Sequence, residues 1–203
     1  MIPALGKKGA AELHKQLVEF TLNTVQQLSA KRQISIEICF CGCDIEQIQK
    51  WLGPEYHYAE QLDGDLGVKM NHAFIQGFEE GYDNILIIGT DCPEMTINDL
   101  GCGFDKLEHS NLTLGPAYDG GYYCVGLKAP TPQIFKNVDW GSDRVFKQTI
   151  AKAIHLGLEI ELLSKRHDID RPADLDNWYN IANPQSEKIS VTIPQSIELE
   201  VFR

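Results

Sequence analysis

Three short segments combine carboxylates with glycine or proline in patterns that could hold a metal ion or a phosphorylated ligand. They are Gly89-Thr90-Asp91-Cys92-Pro93, Gly115-Pro116-Ala117-Tyr118-Asp119-Gly120-Gly121-Tyr122-Tyr123 and His167-Asp168-Ile169-Asp170. An aspartate in such a loop can bind a divalent cation that bridges phosphates. Each acid also has a purely structural explanation. Asp91 could cap a turn, Asp119-Gly120 is typical of a hairpin turn, and Asp170 could cap the helix that follows it.

The elements predicted around these segments would bring them to one edge of a sheet. The unbroken apolar run Ile85–Ile88 predicts a strand buried on both faces, as in a parallel sheet, and Asp91 follows it directly. Short strands are predicted at 112–114 and 122–127, on either side of Asp119. Alternating apolar residues at 158–162 predict another strand before Asp168. Ligands of open α/β sheets bind beyond the carboxyl ends of strands, where these acids would lie.

Helical patterns separate the predicted strands. An apolar face recurs from Gly9 to Leu28, capping boxes begin helices after Asp44 and Thr96, and another helix is predicted at 143–155. Pro172 suits a first helical position. This alternation predicts a three-layer α/β/α fold with a mostly parallel sheet over residues 1–183. Alternating residues at 189–193 and 197–201 predict a β-hairpin or arm over 184–203.

Composition and charge exclude several classes of protein. The formal net charge is −11, which argues against nucleic acid binding because the phosphate backbone selects basic surfaces. The longest apolar run is a strand's length, which predicts no membrane span. Met1 to Lys8 does not resemble a signal peptide, so a cytoplasmic location is expected.

Cysteines and histidines offer weaker candidates. The segment Cys39-Phe40-Cys41-Gly42-Cys43 has one-residue spacing, which is unusual for structural zinc, so buried free thiols are the preferred interpretation of the six cysteines. His14 and His72 fall within helical patterns and are treated as ordinary residues. No Ser-His-Asp or Cys-His arrangement, Walker loop or dinucleotide fingerprint is present in the sequence.

Taken together, the acidic segments and several others resemble a known bacterial family. It comprises the CofC-like transferases of the glycosyltransferase-A type, also labelled rSAM/selenodomain-associated transferase 1 and catalogued as a domain of unknown function. The matching segments occur in family order from Pro3 to about Trp178. They are Pro3-Ala4-Leu5-Gly6, Gly64-Asp65-Leu66-Gly67 with Met70, Ile88-Gly89-Thr90-Asp91-Cys92-Pro93, Gly115-Pro116-Ala117, Asp119-Gly120-Gly121-Tyr122-Tyr123, Trp140 with Val145, and Asp168-Ile169-Asp170 with Asp174-Leu175.

The resemblance implies a nucleotide-diphospho-sugar transferase fold that binds a nucleotide or sugar nucleotide with Mg²⁺ or Mn²⁺. The implied chemistry is transfer of a glycosyl or nucleotidyl group, between which the sequence does not choose. Asp91 and Asp119 are the implied catalytic residues. Asp91 with Asp170, or less favoured Asp168, would hold the metal. The implied substrate-binding residues are Asp65, Lys69, Gly89, Thr90, Gly120, Gly121, Tyr122 and Trp140.

The chain departs from the family pattern at its start. Family members have a buried strand and a phosphate-binding loop before the segment that matches Pro3-Ala4-Leu5, and neither is present in these 203 residues. An alternative follows, in which the protein binds nucleotides or partners but is catalytically impaired. The departure also predicts an exposed strand edge. We expect Ile197 to Phe202, or its copy from another chain, to pair with that edge, which would make a homo-oligomer one outcome.

Overall fold

The computed structural model describes residues 1–183 of the chain, so the predicted arm at 184–203 lies outside the described residues. The described helices are α1 (Ile2–Ser29), α2 (Ile45–Leu52), α3 (Leu66–Glu79), α4 (Ile97–Leu107), α5 (Val145–His155) and α6 (Leu175–Ala182). The described strands are β1 (Glu37–Phe40), β2 (His57–Glu60), β3 (Ile85–Ile88), β4 (Leu112–Pro116), β5 (Tyr122–Leu127) and β6 (Ile160–Leu162). Short 3₁₀ turns lie at Pro132–Ile134 and Pro172–Asp174.

The described strands form two separate sheets. One pairs β1 with β2 in parallel, and the other has the order β3-β5-β4-β6. Within the second sheet β4 and β6 are parallel, whereas β5 is antiparallel to both of its neighbours. The α/β fold is therefore as predicted, but the expected mostly parallel sheet is mixed. The turn around Asp119 joins β4 directly to β5 and is too short for the crossover that a parallel pairing requires.

Strand β3 is covered by apolar residues on both faces, as its unbroken apolar run predicts. Ile85 and Ile87 pack against the cluster that contains Phe74 of α3. Leu86 and Ile88 pack against the cluster that contains Leu28 of α1 together with residues of α4. All four strand residues are nevertheless only half-buried, which corrects the prediction of a fully buried strand. The reason is that β3 forms the edge of its sheet among the described residues.

Helix α1 connects the two sheets. It packs against α4 above the larger sheet, with Leu13, Leu17 and Leu28 buried. Its exposed side contacts α2, the helix that connects the two strands of the smaller sheet. Trp51 Nε1 of α2 donates to Glu19 Oε1 of α1 at 2.8 Å. The helix begins at Ile2, earlier than its apolar pattern indicates, and its backbone departs from helical geometry at Gly6, where φ is 66°. No helix of the described part of the chain is both long and apolar enough to span a membrane.

Local signals located most of the element boundaries. Both predicted capping boxes are present: the Asp44 side chain accepts from the Gln47 backbone, and Thr96 pairs reciprocally with Asp99. Strand β2 was not predicted, because its sequence His-Tyr-Ala-Glu has little strand character of its own and pairs along its whole length with β1.

The cysteine prediction is only partly correct. Cys92 and Cys124 are buried free thiols, whereas Cys39, Cys41 and Cys102 are exposed. Strand β1 has one partner in the described residues, and the loop after it is at the surface, which explains the exposure of Cys39 and Cys41.

Candidate functional site

The three acidic segments are adjacent in the folded chain. Residues 164–169 lie between the other two. On one side Ile169 N donates to the Asp91 carbonyl at 2.8 Å. On the other side Ala117 pairs with Arg166 in a parallel bridge, and Tyr118 N donates to the Arg166 carbonyl at 3.0 Å. The prediction that the acids meet at one edge of the sheet is therefore correct for their backbones.

Three carboxylates from two of these segments form a cluster. One carboxylate oxygen from each of Asp119, Asp168 and Asp170 lies within 4.8 Å of the others. Asp119 is exposed, and the other two are half-buried. The carboxylate of Asp91 is not part of this cluster. The backbone carbonyl of Asp91 nevertheless accepts a hydrogen bond from Ile169, which lies between Asp168 and Asp170. We call Asp119, Asp168 and Asp170 the carboxylate cluster.

The N-cap position of the 3₁₀ turn after Asp170 is Arg171 and not Asp170. Pro172 is the first residue of the turn, as predicted, and α6 follows. The side chain that accepts the backbone N–H groups is Asp174, whose Oδ2 accepts from Asp170 N at 3.0 Å and from Arg171 N at 2.7 Å. Asp174 thus stabilises the start of this turn, and the carboxylate of Asp170 lies in the carboxylate cluster.

The turn that carries Asp119 depends on its two glycines. Asp119 Oδ1 accepts from Gly121 N at 2.7 Å, which closes the turn over itself. Gly120 has a φ of 97°, in the left-handed region that favours glycine. Its carbonyl accepts from Phe146 N at 2.9 Å, so the turn is also tied to the start of α5. The hairpin explanation of Asp-Gly is correct, and it coexists with a place in the carboxylate cluster.

The loop after β3 folds back over its own glycine. A Cβ at Gly89 would lie 2.8 Å from Asp91 Oδ1, so the absence of a side chain there allows this position of the carboxylate. The carbonyl of Thr90 accepts a hydrogen bond from Thr21 Oγ1 of α1 at 3.4 Å. These contacts fix the loop between β3 and α1.

His14 of α1 is close enough to Asp91 to feel its charge. Burial lowers the pKa of His14, and the negative charge of Asp91 partly opposes that shift. The helical pattern around His14 predicts only an ordinary helical residue. Only the tertiary packing of α1 against the Asp91 loop brings the two together, and nothing in the local pattern indicates it.

A partly buried ion pair holds the segment that carries Asp168 and Asp170. Arg166 Nη2 donates to both carboxylate oxygens of Asp99 at 2.9 Å, and Asp99 is itself buried at the start of α4. Tyr123 Oη of β5 donates to the Ser164 carbonyl at 3.0 Å. The carboxylate cluster is therefore positioned by contacts to two neighbouring elements. The sequence predicts only a capping role for Asp99, because its ion pair with Arg166 joins distant segments.

Glu94 anchors His167 on the other side of the same segment. Its carboxylate accepts from His167 N at 2.8 Å and from Asn177 Nδ2 of α6 at 2.9 Å, and it contacts His167 Nδ1 at 3.1 Å. Burial favours a higher pKa for Glu94, but these hydrogen bonds outweigh it and leave the pKa below its ordinary value of 4.5.

We expect Glu94→Gln to remove part of the acid sensitivity of folding. The pKa of Glu94 is lower in the folded state, so the unfolded chain takes up the proton first as the pH falls below 4.5. The stabilisation is present above that pH and is lost as the pH falls through the folded pKa. Urea unfolding between pH 6 and pH 3, as approximate limits, measures it. The exposed Glu79→Gln serves as a control and should keep the dependence of the unmodified chain; equal behaviour of the two variants would contradict the assignment.

Cys92 does not provide a nucleophile beside the cluster. The thiol is buried, and burial raises its pKa, with the charge of Asp91 adding to the shift. The thiolate is the reactive form of cysteine, so this side chain is chemically quiet.

The remaining predicted substrate residues occupy a second region, at the start of α3. Asp65 caps α3, because its Oδ1 accepts from Val68 N at 2.9 Å, and Lys69 lies one turn further. Gly67 faces Trp140 so closely that a Cβ would lie 2.7 Å from the indole. Trp140 also meets the Tyr122 ring edge-on, with 6.5 Å between ring centroids. The structure therefore connects the motif around Asp65 to the first residue of β5.

Comparison with known proteins identifies the family. Residues 24–142, more than half of the chain, match the family described as "Uncharacterized protein conserved in bacteria" (DUF2064). The chain belongs to this family. A second comparison agrees: the DUF2064 chain superimposes with a TM-score of 0.82 on a crystal structure from Desulfovibrio desulfuricans G20, provisionally named as a nucleotide-diphospho-sugar transferase. The two sequences are 30% identical, over 91% of this chain and 80% of the other.

A more distant structure supports the fold alone. The DUF2064 chain superimposes on 4-diphosphocytidyl-2C-methyl-D-erythritol synthase with a TM-score of 0.60 and 10% identity, over 82% of this chain and 88% of the synthase. No functionally curated protein matches the chain. The fold is thus that of the nucleotide-diphospho-sugar transferases, as the family resemblance of the sequence implies.

Proposed function

We propose that this DUF2064 protein is a metal-dependent transferase that acts on a nucleotide or sugar nucleotide, by glycosyl or nucleotidyl transfer. The observation that carries the proposal is the carboxylate cluster, in which oxygens of Asp119, Asp168 and Asp170 lie within 4.8 Å of one another. The fold shared with the D. desulfuricans protein supports the substrate class.

The donor set fits the cation that the fold family implies. Mg²⁺ and Mn²⁺ prefer carboxylate oxygens, and bonds of about 2.1 Å place ligand oxygens roughly 3 to 4 Å apart around an octahedral ion. The oxygens of the carboxylate cluster lie within 4.8 Å of one another, so small side-chain movements would bring them to that spacing. When bound, such a cation neutralises phosphate charge and stabilises the leaving group. Asp119, Asp168 and Asp170 would hold it, with Asp91 as a further acid beside them.

In this proposal the residues around the carboxylate cluster bind and orient the nucleotide or sugar nucleotide. Gly89 and Thr90 fix the loop of Asp91, and Gly120 and Gly121 give the hairpin turn the shape that holds Asp119. Trp140 and Tyr122 join that turn to the first turn of α3. Asp65 and Lys69 on α3 are the proposed contacts to the base or phosphates. A transferase has to bind both its donor and its acceptor beside the metal ion, and these residues would provide part of that binding surface.

Calorimetric titration with nucleotides and sugar nucleotides tests the proposal. We expect heat of binding for at least one of these ligands in the presence of Mn²⁺ and a loss of affinity of roughly a hundredfold or more after the metal is removed with chelator. Ligand binding that is equally strong without metal would contradict the metal-dependent assignment.

A turnover assay on the ligand that binds separates the two functions that the sequence leaves open. Release of the free nucleotide or of pyrophosphate supports the transferase. Metal-dependent binding without any turnover, over the full set of acceptors tested, would support the catalytically impaired nucleotide-binding protein instead.

A further inference from the structure

Three cysteines lie within five residues at the end of β1, and the proposed transferase activity uses none of them. Cys39 is the third residue of β1, and Cys41 and Cys43 belong to the loop that joins β1 to α2. Cys39 and Cys41 are exposed, and Cys43 is half-buried. Free cysteine is among the most buried residue types, so core packing does not explain thiols in this position. Their place at the surface suits the binding of a ligand.

The thiol of Cys39 differs from the other two because it already has a partner. Its Sγ donates to Glu37 Oε1, on the same face of β1, at 3.7 Å. Within residues 1–183, the side chains of Cys41 and Cys43 make no hydrogen bond. The pair of thiols that is available to a ligand is therefore Cys41 and Cys43.

The glycine between these two cysteines lets their sulfur atoms approach each other. Gly42 has a φ of 80°, in the left-handed region that favours glycine, and nothing lies within 4 Å of a Cβ at this position. Two residue steps separate the Cα atoms of Cys41 and Cys43 by about 7 Å at most. Metal–sulfur bonds are about 2.3 Å long in zinc thiolate sites, so a single ion needs two sulfur atoms within roughly 4.6 Å of each other. Rotation of two cysteine side chains covers that difference, because each Sγ lies two bonds from its Cα.

The charged groups near the two thiols favour a cation as the ligand. Asp44 and Glu60 line a groove together with Cys43, and Glu37 precedes Cys41 in the same strand by four residues. Cysteines that act as nucleophiles or redox sensors typically lie beside positive groups. Acidic neighbours instead attract a positive ion. A cation-binding role is thus favoured over a nucleophilic one.

The number of ligands in the loop selects the ion. Thiolates prefer soft ions such as Cu(I) and Zn²⁺. Structural Zn²⁺ is almost always held by four protein ligands. The only group of three potential metal ligands in residues 1–183 is the carboxylate cluster, so no third side chain is close enough to complete a zinc site in this loop. Cu(I) needs only two thiolates, in a linear arrangement, and fits the pair.

We infer that Cys41 and Cys43 bind one Cu(I) ion between their sulfur atoms. Each thiol releases its proton to the solvent as its Cu–S bond forms, and the oxidation state of the copper does not change. The site follows β1 of the smaller sheet, whereas the carboxylate cluster lies at the edge of the larger one. The inference therefore does not depend on the proposed transferase activity.

Competition with a chromophoric Cu(I) chelator tests the inference on the full chain, under anaerobic conditions with a reductant that is not a thiol. We expect the unmodified chain to take one equivalent of Cu(I) from the chelator. Cys41→Ser and Cys43→Ser should each weaken binding by roughly a hundredfold or more, because each leaves a single thiolate. Cys39→Ser should leave the affinity within about threefold, since that thiol is paired with Glu37.

Cys102→Ser is the matched control, because Cys102 is an exposed cysteine of α4 with no other cysteine near it in the sequence. It should retain the full equivalent of Cu(I). Thermal unfolding of the metal-free variants checks that all of them fold. Three results would overturn the inference. They are no uptake of Cu(I) by the unmodified chain, a loss in Cys39→Ser as large as in Cys41→Ser, and an equal loss in Cys102→Ser, which would indicate adventitious binding to surface thiols.

Discussion

Replacing Asp168 or Asp170 with asparagine should weaken Mn²⁺ binding by roughly a hundredfold or more, and metal-dependent nucleotide binding with it. Each substitution removes one negative charge and one anionic ligand from the carboxylate cluster, while the volume of the side chain is nearly unchanged. Amide oxygens are weaker ligands for these hard cations than carboxylates, so the loss is one of affinity. Calorimetric titration of each variant with Mn²⁺ measures it directly.

Asp83→Asn is the matched control for these variants. Asp83 is exposed just before β3, at the opposite end of that strand from Asp91. The Asp83→Asn substitution changes the net charge of the protein by the same amount as Asp168→Asn. It should nevertheless leave the Mn²⁺ affinity within about twofold, because a distant surface charge is screened by salt. If Asp83→Asn and Asp168→Asn weakened binding equally, the metal would be responding to overall charge and not to the cluster.

Asp91→Asn distinguishes the predicted ligand from the observed cluster. The carboxylate of Asp91 lies outside the group formed by Asp119, Asp168 and Asp170, so we expect a smaller loss of metal affinity than for Asp168→Asn. A loss as large as that of the cluster residues would show that Asp91 completes the coordination when the metal binds.

Gly120→Ala should destabilise the fold by about 3 kcal/mol, the largest effect on folding that we expect from a single methyl group. The φ of Gly120 is 97°, which costs an L-residue roughly 1 to 2 kcal/mol. In addition, the new Cβ would lie 2.6 Å from Asp143 Cα and 2.7 Å from its carbonyl carbon. These are backbone atoms, so relief requires movement of the chain, at a cost of roughly 1 to 3 kcal/mol.

Gly141→Ala separates the two causes. Gly141 has a similar φ of 80°, but nothing lies within 4 Å of a Cβ at that position. It should therefore show only the backbone cost, about 1 to 2 kcal/mol. Urea unfolding of both variants measures the difference. Equal losses for Gly120→Ala and Gly141→Ala would contradict the close packing of the hairpin turn against Asp143.

The fold could be predicted largely because its signals are local. The apolar run of β3, the capping boxes of α2 and α4 and the Asp-Gly turn each act over a few residues, and the structure has all of them. The shortness of the turn at Asp119, which is visible in the sequence, already requires β5 to run antiparallel to β4, in conflict with the expected mostly parallel sheet.

The site was harder to predict, because its geometry depends on contacts between distant segments. The family resemblance favours Asp170 over Asp168 as the metal ligand, and the nearby Pro172 suggests a helix start that Asp170 could cap. The observed N-cap is Arg171, and the side chain of Asp174 accepts from Asp170 N. Likewise, the Arg166–Asp99 ion pair joins residues 67 positions apart, which no spacing rule finds.

The burial of β3 illustrates the same limit. An apolar run on both faces of a strand indicates two covered faces, which the structure has. It does not reveal whether both edges are paired. The exposure of Ile85–Ile88 follows from the edge position of β3 among the described residues.

A crystal structure of the protein with Mn²⁺, with anomalous scattering data, tests the central claim most directly. We expect one anomalous peak within bonding distance of carboxylate oxygens from Asp119, Asp168 and Asp170, because the folded chain already brings these oxygens within 4.8 Å of one another. A peak bound to Asp91 without these three residues, or a fully occupied Mn²⁺ elsewhere with the carboxylate cluster empty, would contradict it.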